Sequence, residues 1–365
     1  MCQSTIYWNG VKELENKTNR YFSIAYAVLA AALFGMSAPF SKLLLVEIPP
    51  LMMSALVYLG AGFGMLIIDL TRVLTKSKQS EARLTKNDLP FILAMIALDI
   101  AAPISLMMGL TMTTAANAAL LGNFEIVATS VIALIVFKEA IGKRLWFSIF
   151  LIIIASIMLS ADDLNNLSFS LGSILVLLSC LFWGLENNCT RKLSIKDPLQ
   201  VVIIKGFGSG IGALIITVYA NELIWNIAFI IPALLLGFFA YGLSIFFYVT
   251  AQRNLGAART SAYYAVAPFI GVLLSFFLFD EPITTAFILA SSIMVAGTYF
   301  AIAEIHEHHH DHHDLAHDHR HNHFDAHHDH SHDENITKEH SHPHVHSGKS
   351  HMHGHTPDIH HRHQH

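Results

Sequence analysis

The sequence predicts an all-α integral membrane protein, with ten transmembrane helices arranged as two inverted five-helix repeats. Three observations predict it. The 365 residues are 53% hydrophobic and only 13% charged, and the mean hydropathy of +0.48 includes a very polar C-terminal tail, a balance foreign to soluble globular domains. Apolar runs of about 20 residues, each long enough to cross a ~30 Å hydrocarbon core as a helix, recur from Tyr21 to about Ala303. The second half of these runs repeats the first.

The ten spans lie at approximately 21–45, 50–73, 89–111, 114–137, 144–160, 169–191, 198–220, 224–250, 257–279 and 284–303. About 20 polar residues precede the first span, which is too long for a cleaved signal core, so it is read as a retained helix with no targeting segment before it. Four regions follow: an N-terminal segment (1–20), a first repeat (21–160), a second repeat (169–303) and a tail (304–365). Lysine and arginine set the orientation. Lys12, Lys17 and Arg20 precede the first span; Arg72, Lys76, Lys78, Arg83 and Lys86 follow the second; Lys138, Lys143 and Arg144 follow the fourth. Arg191, Lys192 and Lys196 follow the sixth, and Arg253 and Arg259 the eighth, while the alternate connections carry essentially none. The positive-inside rule then puts both termini in the cytoplasm of a cell carrying this chain in its plasma or inner membrane.

Self-comparison pairs "LFGMSAPFSKLLL" (33–45) with "LFWGLENNCTRKL" (181–193), bringing Gly35 onto Gly184. "LGAGFG" (59–64) pairs with "FGSGIG" (207–212), and the stretch from "TAANAALL" to Glu139 pairs with that from "GAARTSAY" to Glu281. Five helices is an odd number, so the second repeat enters the membrane from the opposite side, and such inverted repeats imply alternating access around a site near the midplane. The paired small residues Gly60 with Gly64, and Gly208 with Gly212, read as close-packing positions. Cys180 and Cys189 stand about 13 Å apart along one predicted helix, too far for a disulfide.

These features together, the "FG...P..K" and "WG..N...RK" helix ends and the close of the ninth span from Pro268 to Glu281, resemble the drug/metabolite transporter superfamily, EamA type, over about residues 21–303. The resemblance implies small-molecule transport, often export of amino acids or other metabolites, through a cavity between the halves, with the fifth helix of each half peripheral. One position departs: Ile126 stands where the second repeat has Pro268, which leaves the first repeat without the proline of a paired kink.

A charge at bilayer depth costs at least ~2.5 kcal/mol, so intramembrane ionisable residues mark partners or pathways. Asp99 and Glu125 fall about halfway along their spans; Glu186 and Lys205 lie closer to the cytoplasmic ends of theirs. Equal depth makes Glu186 and Lys205 an expected ion pair. That pair is either structural or, with Asn187 and Asn188 beside it, a gate or substrate contact at the inner mouth. Asp99 and Glu125 have no basic residue at their depth, so each is either a proton or substrate site or a neutral carboxyl bonded to a neighbouring helix. Asn123 is the better cavity candidate of two asparagines in the fourth span, the other being Asn117. Tyr241, aligned with Asp99 across the repeat, and the aromatics Trp183, Tyr263 and Tyr264 are candidates to line a cavity for organic solutes, or to serve as packing. Glu139 and Glu281 read as caps of the helices that follow them.

All 25 histidines lie in the tail, from His306 onward. Ligands at His308, His309, His310, His312, His313, His317, His319, His321 and His323 suit zinc, nickel, cobalt or copper without strong selectivity. A tail so poor in large apolar residues is expected to lack ordered structure of its own, and it serves as a metal sensor or buffer, a pH sensor, or a collector of a metal cargo. The membrane body holds no histidine, which favours an organic solute over a metal. The reading is therefore a carrier of small organic metabolites, exporting them with proton coupling as an option. Its rivals are a divalent-metal transporter and a membrane-anchored metal sensor. No nucleophile, metal triad or phosphate loop appears, so no enzyme and no required cofactor is expected. The expected partners are the lipid bilayer, the solute and metal ions at the tail, with no nucleic acid and a homodimer as one oligomeric option.

Overall fold

The computed structural model describes residues 21–74, 84–137, 142–163, 168–190, 193, 196–255, 260, 263–281 and 283–302, together with the backbone of four tail strands. Among the described residues the apolar helices are α1 Tyr21–Leu44, α2 Pro50–Leu74, α3 Lys86–Met112, α4 Ala115–Val136, α5 Lys143–Ser160, α6 Leu171–Thr190, α7 Pro198–Tyr219, α8 Ile227–Ala251, α9 Ala267–Leu278 and α10 Thr285–Ile302. Among the described residues, nine are long and apolar enough to cross a bilayer. The described part of α9 has 12 residues, and some of the expected span before it falls outside the description.

The helices start where the chain offers caps. Asp197 accepts from the Leu199 amide with Pro198 at the first helical position of α7. Thr114 accepts from the Asn117 amide at the start of α4, and Asn226 from the Ala228 amide at the start of α8. Each cap satisfies a backbone donor that the helix itself leaves open.

Glycines set how the repeats meet, since a missing Cβ lets backbones approach closely. A Cβ on Gly35 of α1 would press on the Ala267 carbonyl of α9, and one on Gly184 of α6 on Ala128 of α4. Gly60 and Gly64 of α2 face Leu234 and Phe238 of α8, while Gly208 and Gly212 of α7 face Ile96 and Ile100 of α3. Each pairing is the two-fold image of the other, and every one crosses from one repeat to the other. The centre of the exchange is the α2–α7 crossing, where Gly206 lies against Gly62 and the Tyr58 carbonyl. Helices α5 and α10 pack on each other, with Gly297 against Ile152.

The missing proline of the first repeat does not abolish its kink. α4 is interrupted at Gly122–Asn123, and the chain before α9 turns at 265–266, ahead of Pro268. Glycine does in one repeat what proline does in the other, because both weaken the intrahelical ladder.

The connections after α1, α3, α5, α7 and α9 share one face, which we call the charge-poor face; the remainder form the basic face. Short strands β1 Ala161–Asp163 and β2 Ser168–Phe169 pair on the charge-poor side. In the tail, backbone ladders join β3 His306–Asp311 to β6 Ser350–His355 and β4 Leu315–His321 to β5 His340–His346. The expectation of a tail without ordered structure thus meets backbone pairing, which the period-two histidine spacing permits; isolated two-stranded ladders are only marginally stable in water. The tail side chains, the N-terminal segment 1–20 and Glu139 lie outside the described residues.

Candidate functional site

The middle of the molecule holds an ion cluster built by both repeats. The Lys205 ammonium of α7 lies 3.0 Å from Asp99 Oδ2 of α3 and 3.1 Å from Glu186 Oε1 of α6. The other Asp99 oxygen accepts from the Tyr58 hydroxyl of α2 at 2.9 Å, and Glu186 also accepts from the Thr190 hydroxyl. Asp99 and Glu186 are buried. The Glu186–Lys205 pair stands as the sequence suggests, and it has a third member. Asp99 is therefore not without a basic partner, which corrects the expectation from depth alone. Gly208 against Ile96 and Gly212 against Ile100 set α7 beside α3 so that the Lys205 backbone sits about 9 Å of helical rise below Asp99. The flexible four-carbon lysine stem closes that gap.

Around the cluster stands an aromatic group. Trp183 donates through its indole nitrogen to the Tyr58 hydroxyl at 3.4 Å. Buried Tyr241, the repeat-mate of Asp99, lies with its ring 5.5 Å from that of Tyr58. Phe34 makes ring contacts with Trp183, Tyr241 and Tyr264 at 6.5, 6.1 and 5.7 Å. The sequence singled out Trp183, Tyr241 and Tyr264 but not Tyr58 or Phe34. For Tyr58 the available signal was its place in a glycine-rich apolar helix, where a buried hydroxyl needs a partner.

Glu125 stands apart from the cluster. It accepts from Asn187 Nδ2 at 2.6 Å, and Asn187 also reaches Thr129 Oγ1 at 3.4 Å. Glu125 lies within Coulombic range of Glu186 and Lys205. Asn187 is exposed, and the direction of that exposure matters. The outward apolar stripe of α6, Leu171, Ile174, Leu178 and Leu181, is exposed as a lipid-facing surface should be. At 100° per residue, Asn187 points about 160° away from the centre of that stripe, and Trp183, one turn earlier, shares its side. Asn187 therefore faces away from the lipid-facing side of α6, one turn from the basic end of that helix.

Two asparagines do other work. Asn123 is buried, donates to the Leu120 carbonyl at 3.3 Å and accepts from Thr298 of α10 at 3.4 Å. It is two residues from Glu125 and so on the opposite side of the helix; the structure does not bring it to the Glu125–Asn187 pair. Asn188 ties α6 to α4 by donating to the Thr129 carbonyl at 3.1 Å, and to the Gly184 carbonyl at 2.8 Å.

The helices at the charge-poor face are tied together by contacts of another kind. Glu281 accepts from the Ala115 and Ala116 amides at 2.7 and 3.1 Å, so it caps α4 of the opposite repeat rather than the helix after it. The first turn of α10 uses Thr284 instead, whose hydroxyl accepts from the Phe287 amide. Lys42, at the end of α1, donates to the Leu110 and Thr113 carbonyls that end α3. Asn117 donates to Thr113, the Leu159 carbonyl and Ser173, each at 3.0 Å. A cavity of about 590 Å³ lies against these groups, lined in part by Lys42, Thr113, Asn117, Asp280 and Glu281. It is separate from the ion cluster, which sits deeper.

Comparison with known proteins places this geometry. A model described as the EamA-like transporter family matches residues 21–161 and 170–303. An uncharacterized transporter of Methanothermobacter thermautotrophicus is 26% identical over 318 residues, covering 82% of this chain and 91% of that one. The uncharacterized transporter YyaM of Bacillus subtilis is 21% identical over 259 residues, 67% of this chain and 81% of its own. A solved crystal structure at 14% identity has a TM-score of 0.56, covering 76% of this chain and 95% of that chain, a likeness of fold. With both repeats matched, the chain belongs to the EamA-like transporter family and is a multi-pass membrane transporter.

Proposed function

We propose that the protein is a secondary transporter that moves small organic metabolites out of the cell by alternating access, with Glu125 as a proton-exchanging group. The observation that carries this reading is the ion cluster: Asp99 and Tyr58 come from one repeat, Glu186 and Lys205 from the other. A buried charge network of this kind joins the two bodies that must rock against each other, with an aromatic surface beside it for an organic solute. The closed contacts at the charge-poor face and the inward exposure of Asn187 support a conformation open toward the basic face. Cytoplasmic termini follow from the positive-inside pattern, and both belong to this proposal.

A divalent metal as cargo is disfavoured by the same cluster. Lys205 occupies both carboxylates, and a cation entering there has to displace an ammonium. The tail is proposed as a regulatory metal-binding segment for zinc, nickel, cobalt or copper. The test is uptake into proteoliposomes of a mixed metabolite pool, and separately of zinc, nickel and cobalt, by the full chain and by one truncated after Ile305. Organic flux that survives truncation, with no metal flux from either form, is the expected result. Metal flux that vanishes with the tail overturns it.

A further inference from the structure

We infer that the Glu125–Asn187 pair is the binding point for the positive end of the cargo, and that the cargo is an organic amine with an aromatic or apolar body and no free carboxylate. The inference rests on the carrier reading and narrows its substrate class.

Charge inventory comes first. Near the middle of the bundle the described ionisable groups are Asp99, Glu125, Glu186 and Lys205. Lys205 is within ion-pair distance of Asp99 and Glu186, and Tyr58 adds a donor to Asp99. Glu125 receives a single hydrogen bond, from the neutral amide of Asn187, and among the described residues no cation lies within ion-pair distance of it. Among the described residues, Glu125 is thus the one of these three carboxylates without a cation within ion-pair distance, and it lies next to a side chain turned away from lipid.

The walls agree with that charge. Trp183 shares the inward side of α6 with Asn187, and Phe34 links Trp183 to Tyr264 by ring contacts. Tyr264 in turn lies within Coulombic range of Glu125. An ammonium placed at Glu125 makes a charge-assisted hydrogen bond and meets aromatic faces that attract cations, while its apolar body packs on the same rings.

The third step is the want of a second free charge among the described residues. A zwitterion or an anion needs a basic group for its carboxylate, and the described lysines Lys205 and Lys42 are both committed. Lys205 is held between carboxylates, and Lys42 is bound to the α3 carbonyls at the far face. A carboxylate-bearing cargo would lose its hydration with no counter-charge in return.

The experiment uses the full-length chain in detergent with three probes of one shape: tryptamine, tryptophan and indole-3-propionate. Tryptamine is expected to raise the melting temperature and to bind at least about tenfold more tightly than the other two. Glu125→Gln is expected to remove that preference, while Glu281→Gln, remote from the pair, keeps it. If Glu125→Gln gives no monodisperse protein, the wild-type ranking decides alone. Equal or tighter binding of tryptophan or indole-3-propionate overturns the inference, as does binding of none of the three or an unchanged preference in Glu125→Gln. Organic flux of an acidic or zwitterionic metabolite in proteoliposomes would leave the carrier reading standing while this narrower one falls.

Discussion

The two repeats share a packing scheme and differ in chemistry. Gly60 and Gly64 are to α8 what Gly208 and Gly212 are to α3, and Gly35 is to α9 what Gly184 is to α4. Yet the third helix of the first repeat carries Asp99 where its mate carries Tyr241. The lysine that answers Asp99 comes from the second repeat, and the tyrosine that supports it from the first. Symmetry thus governs which surfaces slide, while asymmetry decides what is bound between them.

The sharpest way to break that comparison is to remove the lysine that joins Asp99 of one repeat to Glu186 of the other. Lys205→Met leaves Asp99 and Glu186 buried together and is expected to cost about 3–5 kcal/mol, read as loss of monodisperse protein on size exclusion. Adding Asp99→Asn and Glu186→Gln to that variant should restore much of the folded fraction, because the penalty lies in the unpaired charge.

Symmetry itself is tested by Gly60→Ala against Gly208→Ala. The sequence pairs these positions, but a Cβ at Gly60 overlaps the Leu234 backbone carbonyl, whereas the nearest atoms to one at Gly208 are all of the Ile96 side chain. The first substitution should cost about 1–3 kcal/mol of stability and the second less, because a side chain yields more readily than a backbone, both read from melting in detergent. Equal effects would mean that the two crossings are equally tolerant. Tyr58→Phe, which strips Asp99 of one donor, should cost about 1–2 kcal/mol. Glu281→Gln should cost about 0.5–1 kcal/mol as a weakened cap, while raising the labelling by a membrane-impermeant reagent of a cysteine placed at Thr114.

The sequence carries this comparison part of the way. The ten spans and the glycine pairs are legible because length, apolarity and spacing are local properties. The pairing of Glu186 with Lys205 is legible too, since two charges at one depth in neighbouring helices have few other solutions. Asp99 was harder, because counting residues along its helix says nothing about how far a lysine stem climbs. Asn123 looked like a cavity residue from composition alone, and only the break at Gly122–Asn123 turns it toward Thr298. Glu281 was read as a cap for the nearest helix, yet its partner lies 165 residues away in sequence, and no local pattern announces a cap delivered from the other repeat.

That cap has a consequence for solvent. The amides of Ala115 and Ala116 belong to the first turn of α4 and have no partner within their own helix. While Glu281 holds them, these two donors need no water. Any motion that parts the repeats here strands two donors and a carboxylate at once, and only water can take over all three roles. Parting the charge-poor face is then a wetting step as much as a mechanical one. Transport through it should slow when solutes too large to enter the 590 Å³ cavity lower the activity of water on that side, and slow less once Glu281→Gln has loosened the contact.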